Sequence, residues 1–173
     1  MRYLAERIFG VEVGSTAPVF LAVLVVHVAA ALTAVAAGAA AALTRRKGRG
    51  RHTRFGDVYL VALTVVFGTA TVLAAMRWRE DYHLFLIGTV AFGAAMVGYV
   101  ARRRQWPGDA AHIVGMGVSY VAMLTAFYVD NGKSLPVWNR LPTAAYWIIP
   151  GLVGAPLIMR ATLRRRHPDR VSR

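Results

Sequence analysis

Residues 17–43, APVFLAVLVVHVAAALTAVAAGAAAAL, run for 27 positions without an Asp, Glu, Lys or Arg. As a helix rising 1.5 Å per residue, such a stretch is about 40 Å long, more than the roughly 30 Å of hydrocarbon in a bilayer. Four more charge-free stretches follow, Val58–Met76, Tyr82–Ala101, Ala110–Val129 and Thr143–Met159. Together the five hold 103 of the 173 residues, so all 29 charged residues are confined to the other 70. A helix from a soluble bundle would carry a polar stripe at period 3.6, and these do not. The chain is 57% hydrophobic and 17% charged, against roughly 25% charged in ordinary soluble domains. A disordered basic tail is excluded on that ground, and the absence of Cys excludes a disulfide-stapled secreted domain. The predicted fold is all-α: an integral membrane bundle of five transmembrane helices.

The net charge of +13 would point to nucleic acid in a soluble chain, but its distribution encodes topology. Lys and Arg number 15 in residues 44–57, the third connection and the tail from Arg160, against 6 in the alternate segments. The positive-inside rule then predicts the N-terminus outside and the C-terminus inside a bacterial cytoplasmic membrane. Arg45, Arg46 and Lys47, and Arg164, Arg165 and Arg166, are expected to lie against anionic lipid headgroups, with no nucleic-acid partner. Residues 1–16 form an extracytoplasmic segment, 17–163 the membrane domain and 164–173 a basic tail. Tyr3, Leu4, Ile8 and Phe9 among charges suggest a short interfacial helix. The run from 17 is too long for a signal-peptide core, and Glu6 and Glu12 spoil a positive leader. Ser15 and Thr16 are expected caps for the first helix, with Pro18 in its first turn. The fifth is expected to be short and kinked at Pro150 and Pro156.

Small residues mark packing faces. Ala30, Ala34, Gly38 and Ala42 recur every four positions, and Gly88, Gly93 and Gly98, or Gly151 with Gly154, suggest similar close approaches. The outer connection 130–142, with Pro136, Trp138, Asn139 and Pro142, reads either as an ordered lid or as an interfacial turn.

Ionisable groups within a bilayer are functional candidates because they are costly to keep there, and here only histidines qualify. His27 lies ten residues beyond Ala17, some 15 Å into the first helix. A neutral imidazole there is either a cofactor ligand or proton relay, or bonds a carbonyl or hydroxyl such as Thr33. His112 opens the fourth helix after a turn and cap at Pro107-Gly108-Asp109. Met116, Ser119, Tyr120 and Met123 follow on its side, a stripe that serves either packing or a soft metal. His52 precedes the second helix near the same membrane face as His112, so the two are candidates to hold one haem iron or metal. His83 reads as an interfacial anchor. No hydrolase motif, phosphate loop or intramembrane carboxylate is present.

His27, then His52-x-x-x-Gly56-x-x-Tyr59, then His112 resemble uncharacterised bacterial membrane proteins of the domain-of-unknown-function family 2306. Met116, Ser119-Tyr120, Ala126-Phe127 and Leu135-Pro136 extend the resemblance over residues 17–160. It implies a small helical membrane protein and no established activity; Ile113 follows His112 where the family pattern has Arg. A second likeness is to six-helix b-type cytochromes, whose histidines pair across alternate helices. His52 with His112 resembles one such pair, whereas His27 and His83 differ in depth, which implies one haem b rather than two. The expected function is a haem- or metal-binding redox or cofactor-handling membrane protein using His27, His52 and His112. Copper held by His27, His112, Met116 and Met123 is the alternative cofactor. A non-enzymatic assembly factor, alone, as a homo-oligomer or within a membrane complex, is the second class, and a small transporter the third.

Overall fold

The computed structural model describes residues 6–8, 11–13, 17–44, 50–107 and 109–166. Its long elements are five helices: α1 (Pro18–Leu43), α2 (Arg51–Met76), α3 (Trp78–Arg103), α4 (Ala110–Asn131) and α5 (Thr143–Arg166). Each is long and apolar enough to cross a membrane. The helices overrun the charge-free stretches, because a helix satisfies its backbone N–H and C=O groups internally. His52 therefore lies in the first turn of α2 rather than ahead of it, and His83 in the second turn of α3. The fifth helix is not short: it is 24 residues long and runs through Pro150 and Pro156. Threonine hydroxyls are absorbed the same way, with Thr33, Thr64, Thr71, Thr125 and Thr162 each donating to the carbonyl four residues back.

Ahead of α1, two short strands are described. Strands β1 (Glu6–Ile8) and β2 (Val11–Val13) pair antiparallel, with Glu6 opposite Val13 and Ile8 opposite Val11. Of the residues that suggested an interfacial helix, Ile8 lies in β1; it and the likewise β-branched Val11 and Val13 favour extended backbone, and Tyr3, Leu4 and Phe9 lie outside the described residues. Ser15 and Thr16 lie outside the described residues, as do Arg45, Arg46 and Lys47; α1 has Ala17 at its N-cap, with no side-chain capping bond.

The chain divides into two compact units, Met1–Phe85 and Leu86–Arg173, the boundary falling inside α3. In the first unit α1 packs along α2. The buried positions of α1 are Phe20, Ala34, Ala37 and Ala41. The predicted four-residue spacing is thus corrected: Ala34 is central, but Ala42 is exposed. Alternating steps of three and four keep a stripe on one side of a helix with 3.6 residues per turn, whereas strict steps of four drift around it. From α2 come Tyr59, Ala62, Leu63, Leu73 and Ala74. Where α2 meets α3, Phe85 stacks on Phe67 at 6.1 Å and tilts against Trp78 at 5.8 Å.

In the second unit α3 and α4 touch backbone to backbone. A Cβ on Gly115 would stand 2.7 Å from Ala94 O and Gly98 N, and one on Gly98 would stand 3.0 Å from Met116 N. Between α4 and α5, Gly117 faces Ile158 and Gly154 faces Val121 at equally close range. Of the predicted glycine contacts, Gly98 and Gly154 are close approaches, whereas Gly93 and Gly151 face open space. α3 ends in a Schellman turn: Trp106 N–H bonds Ala101 O at 3.0 Å and Gln105 N–H bonds Arg102 O at 3.3 Å. Gln105 occupies the left-handed position at φ 50°, which glycine takes more readily.

Candidate functional site: three helix-bridging histidines

His27, His52 and His112 each tie two helices together. His27 on α1 places Nδ1 2.9 Å from Thr69 Oγ1 on α2. The Thr69 hydroxyl has one proton, which the carbonyls of Val65 at 2.7 Å and Val66 at 3.0 Å receive. With that proton so engaged, Nδ1 of His27 is assigned as the donor in this pair. His52 on α2 has Nδ1 2.9 Å from Ala41 O on α1, and His112 on α4 has Nδ1 3.0 Å from Gly98 O on α3. A carbonyl only accepts, so these two rings also donate through Nδ1. In the neutral form all three carry the lone pair on Nε2, the nitrogen free of the tautomeric proton.

The local sequence explains each placement. His52 and Tyr59 lie seven residues apart on one side of α2, and Tyr59 is 2% exposed. His112 reaches Gly98 O because Gly98 and Gly115 let the two backbones meet. Thr33 is not the partner of His27; its hydroxyl donates to Ala29 O at 2.8 Å. Sequence reasoning missed Thr69 because hydroxyls at several depths on α2 were equally available, and only packing selects one.

The stripe on α4 is its buried side. Ser119 is fully buried and Met123 is 7% exposed, while Met116 Cγ lies against Gly98, 3.2 Å from where a Cβ would be. Met116 thus fills the α3–α4 contact. Asp109 does occupy the N-cap position of α4, but with no side-chain capping bond; its carboxylate takes a 3.1 Å hydrogen bond from Arg102 Nη1. Gly108 and His167 lie outside the described residues. His83 packs edge-on to Tyr82, ring centroids 5.7 Å apart. Among the described residues no three of His, Cys, Asp and Glu gather as a metal-binding group.

Two further features lie in the second unit. A lateral cavity of about 480 Å³ between α3, α4 and α5 is lined by Leu86, Val90, Val121, Thr125, Trp147 and Ala155, among others. The Thr125 hydroxyl donates to Val121 O at 2.9 Å, so it offers no proton to a guest. The connection 131–142 is ordered around Tyr146, which is 1% exposed. Its hydroxyl donates to Trp138 O at 3.1 Å, its ring closes on Gly132, and Trp138 stacks on Tyr128 at 4.0 Å. Two 3-10 turns, Gly132–Ser134 and Trp138–Arg140, complete it, with Val137 between them at φ 71°.

These helices and contacts make a multi-pass helical membrane protein whose half-buried histidines bridge neighbouring helices. Comparison with known proteins finds no matching family model, no matching curated protein and no matching solved structure.

Proposed function

We propose that the protein is a haem- or metal-binding redox or cofactor-handling protein of a bacterial cytoplasmic membrane, N-terminus outside, with His52 and His112 as ligands and His27 as a deeper ligand or relay. The observation supporting it is the shared Nδ1 donation. A ligating histidine commonly donates its other ring N–H to a carbonyl, which fixes the tautomer and orients the ring. Rings held this way would suit holding haem b, which needs one or two protein ligands rather than a cluster. When bound, the group would supply one-electron transfer. The chain's own part is to hold each imidazole by Nδ1 and exclude water with apolar helices. Kinship with the domain-of-unknown-function family 2306 belongs to the same proposal and rests on these histidines with Gly56 and Tyr59. So does contact of the basic helix ends with anionic lipid.

The test is an oxidised and dithionite-reduced absorption spectrum of detergent-purified protein, with metal analysis of the same sample. A Soret band with sharpened reduced bands, lost in His52→Ala or His112→Ala, is the expected outcome. Copper without a Soret band would move the site to His27, His112, Met116 and Met123. A blank result that persists after incubation with haem and with copper would overturn the reading.

The histidine bonds favour a second reading, a structural or assembly factor, because each of them joins two helices. The readings part at Nε2. A purely structural histidine loses stability on replacement and changes no spectrum.

A further inference from the structure

The three arginines closing α3 are not equivalent. Arg102 Nη1 is engaged by Asp109 Oδ1 at 3.1 Å. Arg103 turns back along its own helix: its Nε–H donates to Tyr99 Oη at 2.9 Å, and its Cζ lies 5.3 Å from the Tyr99 ring centroid. Among the described residues no carboxylate lies within ion-pair distance of Arg103. The guanidinium is thus oriented by a neutral phenol through one of its five N–H groups, and the four on Nη1 and Nη2 remain to face an anion. Arg104 follows it, and the Schellman turn fixes Trp106, 46% exposed, just beyond. The charge-free part of this membrane-spanning helix ends at Ala101. Arg103 and Trp106 therefore fall at the edge of the hydrocarbon, within reach of the headgroup layer that tryptophan prefers.

We propose that Arg103, oriented by Tyr99 and supported by Arg104 and Trp106, binds the phosphate of an anionic glycerophospholipid. The local charge selects the class. The arginine pair attracts a net-negative headgroup, and the neighbouring carboxylate, Asp109, is already engaged by Arg102 and does not recruit the cation of a zwitterionic one. A planar guanidinium also grips phosphate through two parallel N–H bonds, which an ammonium cannot reproduce. The site rests on the broader reading that the basic helix ends meet anionic lipid, and it is independent of any haem.

Native mass spectrometry of the full chain in detergent, titrated with phosphatidylglycerol or phosphatidylcholine, tests it. The wild-type chain is expected to bind its first phosphatidylglycerol about tenfold more tightly than phosphatidylcholine, as expected of about one charge-assisted hydrogen bond. Arg103→Lys is expected to remove most of that preference although it keeps the charge, Tyr99→Phe to remove part of it, and Arg102→Lys to leave it within about twofold. If Arg103→Lys binds like the wild-type chain, or Arg102→Lys weakens binding equally, the assigned site is wrong while the broader lipid reading survives. If the wild-type chain shows no preference, both fail. Displacement by equimolar inorganic phosphate would show a site for a free anion and overturn the lipid assignment. Arg103 and Tyr99 lie at a helix end, and the two conservative variants keep its packing, so a folding defect in one leaves the other readable.

Discussion

At the residue scale, the bond between His27 and Thr69 shows how a membrane chain settles a polar group. The imidazole is expensive in hydrocarbon, and a hydroxyl whose own proton is already given to its helix supplies an acceptor at 2.9 Å. Its net worth is modest, because an unfolded helix in lipid also finds partners. A double-mutant cycle of His27→Ala and Thr69→Ala should give a coupling of about 0.6 kcal/mol and not more than about 1.7. The measurement is reversible unfolding in detergent micelles, and a coupling of zero would remove the bond from the account. The histidine was legible in the sequence as the lone ionisable side chain of its segment. Its partner was not, since Thr33, Thr64, Thr69 and Thr71 look alike until α1 and α2 are docked.

At the scale of elements, close approach of backbones decides which glycines matter. Gly93 and Gly98 look equivalent in α3, yet a side chain on Gly93 meets nothing within 4 Å, whereas Gly98 and Gly115 leave no room for one. Gly115→Ala would push a methyl group into the backbone of α3 and should cost about 1–3 kcal/mol, the range for overpacked cores. Gly93→Ala should be neutral or stabilising by up to about 1 kcal/mol, since alanine lowers the entropy lost by glycine in a helix. Melting temperatures of the two variants, measured side by side in the same detergent, separate a contact from a spacing. Equal behaviour would refute the backbone contact between α3 and α4. The same contact carries the bond from His112 to Gly98 O, so Gly115→Ala should also disturb any spectrum that depends on His112.

At the scale of the whole molecule, the absence of Cys makes the topology directly measurable. Single cysteines introduced at Gln105 and at Ser134 lie in successive connections and should react from opposite sides of a sealed vesicle. Positive-inside placement predicts that Ser134→Cys labels from outside intact cells and Gln105→Cys only after permeabilisation. Labelling from the same side would deny that α4 spans, and the reverse pattern would invert the orientation. Five helices long and apolar enough to cross a membrane are legible in the sequence alone, because twenty or so apolar residues without charge have few other stable homes. The histidines are marked there too, because their chemistry stands out against Ala, Val and Leu. What holds them is set by helix packing, since Thr69, Ala41 O and Gly98 O lie 42, 11 and 14 positions away in the chain. Packing likewise decides that α1 presents Ala34, Ala37 and Ala41 rather than Ala42, and that Tyr146 gathers the 131–142 connection. Hydropathy is a property of each segment, and a chain of residues carries it whole. Partner choice depends on which faces dock, and on an apolar helix, where almost every face is alike, that is settled by packing between helices.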